Sequence, residues 1–248
     1  MTKLSHIKII LVEPAGALNI GSVARSMKNM GLNQLLLVNP HCDYLGEDGR
    51  KMAVHGIDIL ENAVSIRSLT EALTGCKKAI ATTARNRSIP IKLETPDQAL
   101  PWLLEDQNPV ALIFGPEDRG LNNEELSQAQ RFICIPTHSE YSSLNLAQAV
   151  TVCVYELYKA TLTEANDQIS INPNVPSNQE KIAPLDRLEQ YYEHLEKTLL
   201  EIGYLYPHTA QVKMQKFKRL FNRSGLTSDE VAMLHGILHQ VKWAINQD

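Results

Sequence analysis

Long apolar runs are missing from this chain of 248 residues. No segment nears the roughly 18 consecutive apolar positions that a membrane-spanning helix needs, so no span is expected. Nor does a basic stretch followed by an apolar core stand at the N-terminus, and secretion is not expected. The four cysteines, Cys42, Cys76, Cys134 and Cys153, form no C-x-x-C pair. That argues against a zinc ribbon or a disulfide framework and suits reduced thiols in a cytoplasmic protein. Positive charge is not in excess either. The formal net charge is -4, so any nucleic-acid contact has to rest on local basic patches. Several familiar signatures also fail. Gly16 to Ser22 approaches the phosphate loop G-x-x-x-x-G-K-[ST], but Ser22 takes the place of the lysine, and no G-x-G-x-x-G follows a strand. His235 and His239 have the four-residue spacing of zinc ligands. Gly236 follows where a metalloprotease has glutamate and no third ligand is in view, so a packed or solvated pair is the better reading and no metal is expected. Ser142 and Ser143 lack the G-x-S-x-G frame of a hydrolase.

What is present is an alternation of strands and helices. Residues 7–12, 34–38, 78–83, 110–114 and 132–135 are short apolar runs of strand length. Between and after them, helical spacing marks residues 22–30, 68–75, 97–105 and about 144–162, and Asn122-x-x-Glu125 has the spacing of a capping box. Strands alternating with helices predict a parallel sheet covered on both faces. Composition shifts near Thr163, and residues 163–184, rich in Asn, Gln, Pro and Ser, read as a linker. Beyond it the pattern is all helical. Leu188, Tyr192, Leu195, Leu199 and Ile202 form a heptad-like seam, a second helix covers about 210–222 and stops before Gly225, and Thr227-x-x-Glu230 caps a third. The division is thus 1–162, a linker at 163–184, and a helical domain at 185–248.

Three polar stretches follow predicted strands, on the rim where open α/β sheets bind ligands. They are "NIGSVARSMKNMG" with Asn19, Gly21 and Arg25, "LIFGPEDRGLNNEEL" with Gly115 and Glu117, and "IPTHSEYSSLNLA" ending at Ala147. Singly, each reads as a solvated turn or a helix cap. Together, and in order, they resemble the blocks N-x-G-S-x-x-R, F-G-x-E-x-x-G-L and I-P-x(5)-Y-S-S-L-N-L-A of the SPOUT (TrmH-like) RNA methyltransferases. "TTARNR" at 82–87 and the helical tail extend the resemblance to the TrmJ branch, which methylates tRNA ribose at the 2′-oxygen.

That resemblance implies a SPOUT α/β fold with a C-terminal trefoil knot, S-adenosylmethionine as cofactor, and a homodimer. It places the cofactor at Thr82, Thr83, Ala84, Gly115, Glu117, Ile135, Ser142, Ser143, Leu144 and Asn145. It makes Arg25 the catalytic residue, with Asn19 and Ser142 orienting it and the ribose. An arginine is permanently cationic, so Arg25 suits stabilising a forming alkoxide and gripping phosphate better than removing a proton. The branch places an arginine directly after the second block's glycine. Here Pro116 stands there, and Arg119 is the candidate to take over an RNA contact. Arg85 and Arg87 are expected to hold RNA near the methyl group. Lys213, Lys216, Lys218, Arg219 and Arg223, on one acid-free helical stretch, are expected to bind its phosphates. The implied activity is 2′-O-methylation of cytidine or uridine 32 in tRNA. A ribosomal RNA substrate and a catalytically silent RNA-binding protein are the alternatives.

Overall fold

The computed structural model describes residues 4–84, 92–140, 143–167 and 182–245. Its centre is a seven-stranded sheet in which every strand pair is parallel. In chain order the strands are β1 (Ile7–Val12), β2 (Gln34–Val38), β3 (Val64–Ile66), β4 (Lys78–Thr82), β5 (Leu93–Glu94), β6 (Val110–Phe114) and β7 (Arg131–Ile133). In space they run β3-β2-β1-β6-β4-β7-β5. Thus β6 inserts between β1 and β4, and β7 between β4 and β5. The helices are α1 (Ala17–Asn29), α2 (Glu47–Ala53), α3 (Ile57–Glu61), α4 (Leu69–Ala72), α5 (Pro96–Ala99), α6 (Pro101–Leu104), α7 (Asn123–Leu126), α8 (Leu146–Asp167), α9 (Leu185–Glu201), α10 (Pro207–Ser224) and α11 (Ser228–Ile245).

Successive strand side chains point to opposite faces, and the two cores follow that alternation. Ile7, Ile9 and Leu11 of β1 with Leu112 and Phe114 of β6 pack against Ile20, Val23 and Met27 of α1 and Val150, Val154 and Leu157 of α8. Ile10 and Val12 with Ala111 and Ile113 face the other way, into a core shared with Leu69 of α4 and with α9 to α11. All five residues of β6 are buried, as expected of a central parallel strand. The predicted seam on α9 is used here. Leu188, Tyr192 and Leu195 are buried in this second core, whereas Ile202 stays exposed.

Several boundaries differ from the sequence reading. The first helix begins at Ala17, so Asn19 and Gly21 lie inside it. Its start carries no side-chain cap and no acid in the first turn, which removes the usual signals. The expected helix over 97–105 splits at Pro101, whose ring cannot continue a helical hydrogen-bond ladder. The helix expected to end near 162 continues to Asp167, into the expected linker, and most of the remaining linker lies outside the described residues. The stretch between β2 and α4, which shows little pattern, folds as α2, a single 3-10 turn at Val54–Gly56, α3 and the edge strand β3. Two tail signals are met in full. Gly225 adopts the left-handed conformation after α10, and Thr227 and Glu230 exchange capping hydrogen bonds of 3.2 and 2.7 Å at the start of α11.

Candidate active site

A cavity of about 240 Å³ opens at the C-terminal ends of β4, β6 and β7. Thr82, Thr83 and Ala84 line it from β4, Phe114 through Gly120 from the loop after β6, and Ile133 and Ile135 from β7. Ser143, Leu144, Leu146 and Ala149 close it from the start of α8. Hydrogen bonds fix the strand ends. Thr82 Oγ1 donates to the Ile113 carbonyl at 3.0 Å, and the Thr83 N–H to the Ile133 carbonyl at 2.9 Å. The loop after β6 folds back so tightly that a Cβ at Gly115 would lie 2.3 Å from the Leu121 nitrogen, which only glycine permits.

The three sequence-distant blocks meet through one chain of hydrogen bonds. Asn19 Nδ2 donates to Glu117 Oε1 at 2.7 Å, and Asn145 Nδ2 donates to Asn19 Oδ1 at 2.9 Å. Asn145 Oδ1 in turn accepts from the Ala147 N–H at 2.9 Å, at the head of α8. Glu117 also accepts from the Ala15 N–H at 3.3 Å. Asn19 thus spends its amide on one neighbour and its carbonyl on the other, a role that leucine or aspartate could not fill. Gly21 belongs to the same block for another reason. A Cβ there would meet the Gly49 carbonyl oxygen at 2.2 Å, so this glycine lets α1 and α2 touch.

A second network braces the cavity wall. Arg119 donates to Glu125 Oε1 and Oε2, each at 3.0 Å, to Glu13 Oε2 at 2.6 Å and to the Gly120 carbonyl at 3.0 Å. The two carboxylates, Glu125 first, hold the guanidinium firmly charged, and the Arg119 hydrogen bond lowers the Glu13 carboxyl below its ordinary range. Glu125 serves twice, because it also caps α7 through the Asn122 N–H at 2.6 Å. Its capping spacing is legible in the sequence; its grip on Arg119 is not, and Glu13 carries no sequence signal at all. Arg119, expected as an RNA contact, directs these bonds to its own chain, with its side chain about a third exposed.

Arg25 lies on the exposed side of α1, and among the described residues its side chain makes no hydrogen bond or ion pair. One residue further on, Ser26 Oγ and Thr151 Oγ1 join α1 to α8 at 2.7 Å. Of the expected cofactor residues, Thr82, Thr83, Ala84, Gly115, Glu117, Ile135, Ser143 and Leu144 line the cavity. Asn145 stands behind it in the Asn19 chain. Ser142, Arg85 and Arg87 lie outside the described residues. On α10, Lys216 and Arg223 are exposed. Lys218 departs from the expected RNA face. It turns inward to Glu189 at 2.7 Å and over the Tyr192 ring, because α9 supplies the acid that α10 itself lacks. Lys213 bonds the Tyr204 carbonyl at 3.3 Å, and Arg219 Nε the Gln215 carbonyl at 3.2 Å.

Residues 6–155 match the model of the SpoU rRNA Methylase family, and residues 186–248 match the tRNA methyltransferase TrmJ C-terminal domain. The tRNA (cytidine/uridine-2'-O-)-methyltransferase TrmJ of Pectobacterium atrosepticum is 40% identical over 96% of this chain and 98% of its own. The tRNA (cytidine/uridine/adenosine-2'-O-)-methyltransferase TrmJ of Pseudomonas aeruginosa is 39% identical over 96% and 95%. The crystal structure of TrmJ from Z. mobilis ZM4 superposes with a TM-score of 0.83 at 32% identity, over 95% of this chain and 98% of that one. With one family model matched over residues 6–155, the other over 186–248, and the three blocks joined at one cavity, this protein belongs to the SpoU methylase family, in its TrmJ branch.

Proposed function

We propose that this chain transfers a methyl group from S-adenosylmethionine to the ribose 2′-oxygen of a pyrimidine in tRNA, at nucleotide 32 of the anticodon loop. The observation that carries the reading is the Glu117–Asn19–Asn145 chain, which ties the three blocks to one rim of one cavity. The cavity suits the cofactor chemically. Phe114, Ile133, Ile135, Leu144 and Leu146 offer apolar walls for a flat purine, and the carboxylates of Glu117 and Asp118 complement a cationic ligand. When bound, S-adenosylmethionine supplies an electrophilic methyl on a sulfonium.

The remaining work falls to the chain's own groups. A ribose hydroxyl attacks well only as its proton leaves. Arg25, cationic and free of partners among the described residues, can stabilise the developing oxygen charge and hold the adjacent phosphate. Water or the phosphate takes the proton. Asn19 fixes the start of α1 against the cofactor wall, which sets where Arg25 is presented. Ser142 is assigned to the ribose. Residues 1–162 form the catalytic unit, with the knot that the family implies, and residues 185–248 serve RNA binding through Lys216, Arg219 and Arg223. The insertion of β6 and β7 between strands laid down earlier supports that threaded topology. A homodimer is supported by Leu18 of α1 and by Tyr155, Tyr158 and Leu162 of α8. These are exposed apolar side chains on two helices in contact.

The test is incubation with methyl-labelled cofactor and total tRNA, with ribosomal RNA offered in parallel, followed by mass mapping of the nucleosides. A 2′-O-methylpyrimidine at nucleotide 32 is expected with the wild type and is lost with Arg25→Ala. Label in ribosomal RNA instead, or cofactor binding with no transfer to any RNA, overturns the reading.

A further inference from the structure

Aromatic residues make up only 6% of the chain, yet two tyrosines stand on one surface turn. Between α9 and α10, Tyr204 and Tyr206 are 54% and 57% exposed while Leu205 between them is 2% exposed. The buried leucine anchors the turn in the second core and drives both rings outward. Neither ring is idle against the protein. Lys213 Nζ lies 5.1 Å from the Tyr204 centroid, and His208 stacks on Tyr206 at 6.0 Å with planes 23° apart. Phe217 also stands 6.3 Å from the Tyr204 ring with planes 57° apart, and more than half of each tyrosine stays exposed.

The helix that follows the turn touches α7, just beyond the loop that walls the cavity. On the first turns of α10, Gln211 donates to Glu124, the neighbour of the Glu125 that grips Arg119. Lys216 and Arg223 continue the exposed face of α10 away from the turn. Cations beside supported aromatic faces match a strand of unpaired nucleotides: the phosphates meet the charges and the bases meet the rings.

We infer that Tyr204 and Tyr206 form a stacking platform for unpaired bases of the RNA substrate. This rests on the tRNA reading above and adds to it a direct contact with bases rather than phosphates. The cavity residues and Arg25 have no part in it.

The experiment measures tRNA binding by the full chain over a range of salt, with wild type, Tyr204→Leu/Tyr206→Leu and Tyr204→Phe/Tyr206→Phe. The leucine variant is expected to bind at least about tenfold more weakly, and the phenylalanine variant to stay within about twofold of wild type, because stacking needs only the ring. The salt slope should be the same for all three, since no phosphate contact is removed. Affinity for a fully paired RNA duplex should not change. Tyr206→Leu alone, which removes the ring stacked on His208, gives the same reading at reduced size if the double variant folds poorly. Wild-type tRNA affinity in the leucine variant overturns the platform and leaves the methyltransferase reading intact. So does an equal loss on duplex RNA, or a fall in sedimentation coefficient that marks the turn as a protein contact. A wild type that binds no tRNA overturns both.

Discussion

Replacing Arg119 with methionine keeps an unbranched stem as far as the Nε position and removes four hydrogen bonds at once. Their worth differs. The bond to Glu13 joins groups about a third exposed, with side chains at 34% and 33%, so solvent screens it to at most about 1 kcal/mol. Glu125 is different, because its side chain is only 12% exposed. Without the guanidinium its charge keeps the Asn122 N–H but loses a bidentate partner, at a cost of about 1.5–3 kcal/mol. The variant should lose roughly 2–3 kcal/mol in all, read as a lower urea midpoint with an unchanged slope. The loss should also reach the cavity, since Arg119 ties the loop after β6 to the end of β1 and to α7. Calorimetry should find cofactor affinity about tenfold lower, or roughly 1.4 kcal/mol. The pH dependence follows with a definite sign. Arg119 lowers the Glu13 carboxyl below its ordinary 4.5, so this part of the stability is complete above pH 4.5 and fades as pH falls below it. A variant within about 0.5 kcal/mol of wild type, the spread of an ordinary surface substitution, and with unchanged cofactor affinity would show that the network braces nothing.

Arg25→Ala should bind cofactor as wild type does and lose at least about a hundredfold in single-turnover methyl transfer; normal transfer would remove Arg25 from the mechanism. Gly115→Ala drives a Cβ to 2.3 Å from the Leu121 nitrogen, so it should abolish measurable cofactor binding and lower the melting temperature. A variant that melts and binds normally would mean the loop has slack. His194 Nδ1 and His235 Nδ1 lie 3.0 Å apart, with His239 and Lys242 close by and Glu201 opposing them. Burial first, then the neighbouring His239, Lys242 and His235, lowers the His194 pKa from 6.5, so stability is complete above pH 6.5 and falls as pH drops through the lowered value. The urea midpoint should fall between about pH 7 and pH 5 in wild type and fall less in His194→Asn; parallel curves would refute the lowered His194 pKa.

The parts of the fold that the sequence discloses are those that depend on nearest neighbours. The strand over residues 110–114, the capping boxes at Asn122 and Thr227, and the stop at Gly225 each follow from local pattern and chemistry. The start of α1 is hidden because a glycine without a side-chain cap opens it. Lys218 misleads because its acid, Glu189, lies 29 residues away on another helix. The Asn19–Glu117 and Asn19–Asn145 bonds span 98 and 126 residues, and no periodicity reports on such pairs. Only the resemblance of three whole blocks to a known family placed them together, and it did so without saying which atoms touch.

Strand order explains why those blocks can meet. The chain lays β1, β2 and β3 outward to one edge and then places β4 on the other side of β1, leaving a gap. In an open parallel sheet such a reversal leaves a crevice at the carboxyl ends of the strands, and ligands bind there. Here β6 fills the gap, so its outgoing loop rises between the β1–α1 turn and the end of β4. That single insertion brings Gly115 and Glu117 against Asn19 on one side and Thr82 to Ala84 on the other. The second insertion, β7 beside β4, delivers Ile135 and the approach to α8 to the same rim, and Asn145 closes the circle on Asn19. The site is thus a consequence of the two late insertions. A circular permutant that opened the chain between β5 and β6 would keep every side chain of the cavity, and its cofactor affinity would report how much of the site depends on the order in which the chain is threaded.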